Sequence, residues 1–310
     1  MNDQRLPRWG SLDLSGFALR NGAARGTLAG LVATAGLAAL GAVGYAGLVE
    51  PRRLRLVRRR VPVPGLPPAF AGLRVLHLSD VHVGAPHCGA RHMDAAAALE
   101  ADLVVVTGDL VHGTPHIARC AELLGALRAP LGVWAVLGNH DYSYPHCRVH
   151  TEALVAALTA RGVRLLRNTA APVTWQGATV WLAGVDDPHR RRHDVAAALT
   201  AVPPDACTLL LAHSPDVLAD LPSGRVALVL TGHTHGGQVR LPGLPAIVTR
   251  TRLRFREPYG LRRVRGHLVH FHAGLGAPTP FRFRMPPEIV LLELVPARCT
   301  ALDASVGGGA

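Results

Sequence analysis

LRVLHLSDVH, residues 73–82, contains the pattern from which the rest of the chain can be read. The run Leu73–Leu78 has the length and apolar character of a buried strand, and it stops at the polar residues Ser79-Asp80-Val81-His82. The pattern then repeats downstream. Leu103–Val106 leads into Gly108-Asp109, and Val133–Leu137 leads into Gly138-Asn139-His140-Asp141. Helical stretches Arg91–Ala101 and His116–Leu127 separate these strands, as in βαβ units. Further β-like runs fall at Thr179–Ala183, Thr208–Ala212, Ala227–Leu230, His267–Phe271 and Glu288–Leu294. Two of them also end in imidazoles: His213 after one, Gly232-His233-Thr234-His235 after another. A first half of alternating strands and helices and a more β-rich second half fit a layered α/β sandwich. In such sheets ligands bind at the carboxyl ends of strands, so these five strand ends converge on one candidate site.

The donors gathered there are carboxylate, amide and imidazole, without thiolate. Such a set suits Mn, Fe or Zn better than Ca or Mg. In an extended segment alternate side chains share a face, which predicts that Asp80 and His82 point the same way, and likewise His233 and His235. Isolated histidines such as His87, His92, His146, His150, His189 and His193 read instead as ordinary core or surface residues.

The ordered set D-x-H (Asp80, His82), G-D (Asp109), G-N-H-D (Asn139, His140), His213 and G-H-x-H (His233, His235) resembles the signature of the calcineurin-like metallophosphoesterases, from about Leu73 to Leu294. The resemblance implies an αββα sandwich of the metallophosphoesterase type and two divalent metal ions, Mn, Fe or Zn. Asp80, His82 and His235 would hold one ion, Asn139, His213 and His233 the other, and Asp109 would bridge them. His140 would act as the catalytic acid or phosphoryl-oxygen donor, with Asp141 supporting its loop. The run Gly232–Gln238, Gly274-Leu275-Gly276 and Pro286-Pro287-Glu288-Ile289 resemble a bacterial membrane-associated subgroup, some of whose members cleave UDP-2,3-diacylglucosamine. That subgroup often carries a basic or amide residue before the Gly-Leu-Gly run. Here Ala273 follows His272, so no substrate contact is assigned.

Ahead of this domain, Thr27–Val49 runs uncharged, TLAGLVATAGLAALGAVGYAGLV, long enough for a membrane-spanning or anchoring helix. A cleaved export signal and a buried helix are the competing readings. Six arginines follow within ten residues (Arg52, Arg53, Arg55, Arg58, Arg59, Arg60), which predicts a downstream domain on the cytoplasmic face of the cell membrane, with an exported orientation as the alternative. The expected organisation is a tail at 1–26, the anchor at 27–49, a basic and Pro-rich linker at 50–72, the metallophosphoesterase domain at 73–296, and a tail at 297–310.

Every one of the 33 basic side chains is Arg, against 21 acidic residues, a formal charge of +12. This favours anionic partners: a phosphorylated substrate, free or lipid-linked, and an acidic membrane surface met by the Arg cluster. Arg240, Arg250, Arg254 and Arg256 read as a solvated face. Only 5% of residues are aromatic and no nucleic-acid-binding module is evident, so nucleic acid ranks low as a partner. The five cysteines are scattered and never form a CxxC pair, which excludes a zinc ribbon or disulfide framework. The leading function is a two-metal phosphoesterase at the membrane surface. The alternatives are a broad phosphodiesterase or nuclease and a non-catalytic membrane scaffold, the latter disfavoured by the complete ligand set.

Overall fold

The computed structural model describes residues 15–143, 148–246, 248–279 and 281–297. It divides into two compact units, Met1–Tyr45 and Ala46–Ala310. Within the first, α1 (Ser15–Gly44) is rich in the helix formers Ala and Leu. Its described apolar side chains, Leu31, Val32, Leu37, Leu40 and Val43 among them, are exposed. Residues Gly30–Arg52 are long and apolar enough as a helical run to cross a bilayer.

The second unit holds two six-stranded sheets. The first contains β1 (Arg55–Val63), β2 (Arg74–Leu78), β3 (Leu103–Thr107), β4 (Val133–Val136), β5 (Val163–Leu165) and β12 (Glu288–Pro296), in the order β1-β12-β2-β3-β4-β5. The second contains β6 (Thr169–Trp175), β7 (Ala178–Gly184), β8 (Thr208–Ala212), β9 (Leu228–Thr231), β10 (Gly260–Val264) and β11 (His267–Phe271), in the order β10-β11-β9-β8-β7-β6. Strands β2 to β5 run parallel, as do β7, β8, β9 and β11.

Side-chain alternation divides the apolar residues of each strand between two layers. Val75, Leu103, Val105 and Trp134 face Leu182, Leu209, Leu211, Leu228 and Leu230 across the sandwich. Their neighbours Leu76, Leu78, Val104 and Val106 pack outward against α2 (Met93–Ala97), α3 (Ile117–Gly125) and α4 (Thr151–Ala160). Outside the second sheet, Val195, Ala198 and Leu199 of α5 (Val195–Leu199) cover Leu210, Val229 and Phe271. Each such side chain, fully buried, contributes about 1.5–3 kcal/mol. The result is the expected αββα sandwich.

Arg55–Val63, which reads as linker from its arginines and prolines, is an edge strand nine residues long, parallel to β12. Its inward alternation is carried by Val57, Val61 and Val63, which join the core between the sheets. Of its charges, Arg60 points outward and meets Glu293 of β12 at 3.1 Å, whereas Arg55, on the same parity as Val57, meets buried Glu288 at 3.3 Å. Charged residues and proline are the residue types that edge strands tolerate and exploit. Cys120 and Cys207 are buried free thiols and Cys88 is half-buried, whereas Cys147 and Cys299 lie outside the described residues.

Candidate active site

The parallel strands of both sheets deliver their carboxyl ends to one edge of the sandwich, and the site forms across the seam. Asp80 and His82 follow β2, Asp109 follows β3, and Asn139 and His140 follow β4 in one sheet. His213 follows β8, and His233 and His235 follow β9, in the other. One cross-sheet bond registers the two halves: Nδ1 of His213 lies 2.8 Å from the carbonyl of Thr107. A carbonyl only accepts, so Nδ1 carries the proton and Nε2 turns its lone pair inward.

Two donor groups result, Asp80 with His82 and His235, and Asp109 with His213 and His233, their ligand atoms within 4.8 Å of one another in each group. Oδ2 of Asp109 stands between them, 3.4 Å from Nε2 of His82 and 3.3 Å from Nε2 of His213. Asn139 adds its Oδ1 at 3.1 Å from Nε2 of His213, and Nδ1 of His233 faces the same nitrogen at 3.2 Å. Nε2 of His233 donates to the carbonyl of Arg250 at 3.0 Å, which leaves Nδ1 unprotonated toward the cluster. His140 sits beside these groups, its backbone N–H donating to Oδ1 of Asp109 at 2.7 Å. All eight residues singled out from the sequence are therefore brought together.

Divalent cations fit this cluster. Oδ2 of Asp109, Oδ1 of Asn139 and Nδ1 of His233 converge within 3.1–3.3 Å on Nε2 of His213. Oδ1 of Asp80 and both ring nitrogens of His82 are buried without a hydrogen-bond partner. Leaving such atoms unsatisfied costs about 1–3 kcal/mol each, a cost that coordination removes. Charge balance agrees. Burial, with Asp109 adding to it, raises Asp80 to about 6. Burial opposes a charge on His213, yet Asp109, Asp80 and Asp187 overcome it and raise this imidazole to about 10. The pocket thus demands positive charge.

The backbone shows how the loops achieve this. Asp80, His82, Asp109, His233 and His235 all have positive φ, between 48° and 64°. Non-glycine residues visit this region rarely, and five of the twelve among the described residues are donors of this one site. The expected convergence of Asp80 with His82 and of His233 with His235 is present, but left-handed turns beyond the strand ends produce it, not extended alternation. Glycines let the loops close. A Cβ on Gly232 would lie 1.8 Å from Oγ of Ser79, and one on Gly138 would lie 2.3 Å from the amide of Asp109.

Supporting residues complete the site. Asp141 accepts from the amides of Leu110, Val111 and Gly138, which locks the loops after β3 and β4 together. Arg282 is buried and was not marked by any motif. It donates to the carbonyls of Ala273, Gly274, Gly276 and Met285, with Nη2 3.4 Å from Nδ1 of His235. Its burial lowers the guanidinium to about 10. His112 also escaped the sequence reading, yet it forms a third imidazole group with His82 and His140. The only signal was its position three residues after Asp109. His189, read as structural, has its ring 4.9 Å from that of His233. His272, beside the departure at Ala273, is tied to the carbonyl of His77 at 3.0 Å and accepts from the amide of Gly274.

A layered αββα sandwich with a buried Asp/His cluster across its strand ends defines a metal-dependent hydrolase. The chain belongs to the calcineurin-like phosphoesterase family, whose model matches residues 73–237. YkuE of Bacillus subtilis, an uncharacterized metallophosphoesterase, is 28% identical over 86% of this chain and 94% of its own length. A transmembrane protein with metallophosphoesterase domain from Bos taurus is 36% identical over 74% of this chain and 53% of its own, so the chain spans about half that relative. LpxG of Chlamydia trachomatis serovar D, a UDP-2,3-diacylglucosamine pyrophosphatase, is 26% identical over 80% of this chain and 92% of its own. The family uses divalent metals, and the Asp/His groups described above can bind them.

Proposed function

We propose that this chain is anchored in a membrane by the Gly30–Arg52 helix and hydrolyses a phosphoanhydride or phosphodiester at that surface. The sharpest candidate substrate is a lipid-linked nucleotide sugar of the UDP-2,3-diacylglucosamine type. The observation that carries the hydrolytic reading is Oδ2 of Asp109, equidistant within 0.1 Å from a nitrogen of each donor group (3.4 and 3.3 Å). In this reading Asp80, His82 and His235 would hold one divalent cation and Asn139, His213 and His233 a second, with Asp109 shared between the two groups. Bound there, divalent cations supply Lewis acidity toward phosphoryl oxygens and water. The oxygen and imidazole donors favour Mn, Fe or Zn.

The protein's own groups do the rest. Asp109 is fixed by the His140 amide on one oxygen, so its other oxygen keeps its place between the two groups. His140 is only half-buried and so reaches the mouth, where its imidazole donates to a phosphoryl oxygen or protonates the leaving group. Arg282 ties the loop from Ala273 to Met285 together through four carbonyls and sets its Nη2 3.4 Å from Nδ1 of His235. The lipid part of the proposal is supported by the apolar helix, the likeness to LpxG and the likeness to transmembrane relatives. The six arginines from Arg52 to Arg60 favour a cytoplasmic catalytic unit.

The test compares release of uridine monophosphate from UDP-2,3-diacylglucosamine with turnover of bis(p-nitrophenyl) phosphate by one metal-loaded preparation. Efficient turnover of the lipid supports the proposal. Turnover of the small diester alone replaces it with a broad phosphodiesterase.

A further inference from the structure

Among the described residues of the second unit, the exposed large hydrophobics are Leu48, Val49, Leu56, Leu241, Leu244, Val248 and Phe281. A random scatter of such residues would need no explanation, but six of these seven lie on three segments that touch one another. The amide of Arg282 donates to the carbonyl of Ala46 at 2.9 Å, and the amide of Met285 donates to buried Glu50. Those bonds seat the C-terminal end of the apolar run on the segment that carries Phe281. That segment in turn pairs with the next, Arg240 N–H to Phe283 carbonyl at 2.9 Å and Phe283 N–H to Gln238 carbonyl at 3.0 Å.

The loop that leaves this pairing has a composition unlike the rest of the unit. From Arg240 to Arg256 it carries five arginines and no acidic residue, interleaved with Leu241, Leu244, Val248, Leu253 and Phe255. Arg250, Arg252, Arg254, Arg256 and Arg284 are all exposed. A cleft of about 600 Å³ is lined by Arg240, Arg256 and Arg284 together with Leu241 and Leu244. The one acid lining it, Glu257, is paired with Arg262 at 3.0 Å. The loop is nevertheless rooted: buried Asp216 accepts from the amides of Arg252 and Leu253, and Ala246 N–H bonds the carbonyl of Arg256.

It also reaches the site. A second cavity, about 360 Å³, is lined by both His233 and His235 and the exposed Val248 and Phe281. Arg250, in a left-handed conformation, gives its carbonyl to His233.

We propose that the loop Arg240–Arg256, together with Phe281 and Leu48-Val49, is a docking face for an anionic bilayer, and that the site opens toward the lipid through it. Exposed leucines and valine flanked by arginines suit the headgroup boundary, where apolar side chains enter and guanidinium groups meet phosphates. The occupant follows from charge and from continuity: the face is cationic and contiguous with the end of the membrane-crossing run. A diester or anhydride on a lipid headgroup would then approach His233 and His235 from the membrane side. The inference rests on the anchoring reading given above.

The experiment uses the full chain carrying Leu244→Trp, reconstituted in vesicles containing phosphatidylglycerol, with bromine-labelled lipid as quencher and the parent chain as baseline. Leu244 is exposed, so the substitution spares the core. The expected result is about twofold quenching of the added indole, as for a side chain inserted at the headgroup boundary, and less in zwitterionic vesicles. Emission that stays solvent-like in floated vesicles overturns the proposal. So does emission that shifts to the blue without bromine quenching, which would mean a protein partner or a second copy covers the face. Failure of the chain to float removes the anchoring reading and this inference with it, while turnover of a small soluble diester by the same sample reports separately on the hydrolase. Leu241→Ser with Leu244→Ser should lower turnover of a vesicle-borne phospholipid ester several-fold and leave the soluble diester unchanged.

Discussion

Two histidine clusters sit about one strand-end apart in this protein, and they obey opposite rules. The first, at the carboxyl ends of the strands, leaves both nitrogens of His82 without partners and turns the lone pairs of His213 and His233 inward. The second lies between the sheets. There Nδ1 of His77 meets Nδ1 of His270 at 3.1 Å, its Nε2 meets Oγ1 of Thr107 at 2.9 Å, and both nitrogens of His272 are bonded to backbone. Both clusters are buried and both are imidazole-rich, so residue type does not separate them. What does is whether the polypeptide satisfies the nitrogens itself. The inner cluster is finished by protein alone, whereas the outer one leaves buried nitrogen and carboxylate atoms that divalent cations could complete.

If that contrast holds, Asp109→Asn should have the largest effect. A neutral amide bridges two cations poorly, so turnover should fall by several orders of magnitude and metal content should drop, with circular dichroism unchanged. His140→Ala should be milder, lowering kcat by about 10²–10⁴ while metal stoichiometry by elemental analysis stays at the parent value. Loss of metal in His140→Ala with retention in Asp109→Asn would reverse the assigned roles. On the inner cluster, His77→Ala should leave metal content intact but cost about 2–4 kcal/mol in denaturant unfolding, because a cavity forms and Thr107 and His270 lose a partner.

The smallest effect is a pH slope. Burial holds His270 and His272 down to about 3. Their folded pKa values lie below the unfolded value of about 6.5, so their contribution is fully present above about pH 6.5. It is lost as pH falls toward 3, at about 1.4 kcal/mol per pH unit per histidine. Unfolding of metal-loaded parent and His270→Gln between pH 7 and 5 checks this, and the variant should show the shallower slope.

The outer cluster was legible in the sequence because its donors lie within a few residues of strand ends, where an apolar run followed by Asp-x-His or Gly-Asn-His is a local signal. The inner one was not. His77 of β2 and His270 of β11 meet only because the two sheets pack face to face, and no local pattern marks them or His272. The same holds for Arg282, whose four carbonyl partners come from the folded loops around residues 273–285. β1 was hidden for a different reason: its arginines and Pro62 outweighed the alternation of Val57, Val61 and Val63 that places it in the sheet. The left-handed turns at Asp80 and His82 were also invisible, since neither is a glycine and extended alternation predicts the same convergence.

If the outer cluster is a pair of cation sites joined by Asp109, its metal content and its activity must rise and fall together. Elemental analysis of the purified full chain, before and after chelation and with activity followed in parallel, tests it most directly. The expected result is close to two divalent ions per chain, with activity abolished by the chelator and restored on adding metal. One ion per chain with full activity, or activity that survives complete chelation, would contradict it.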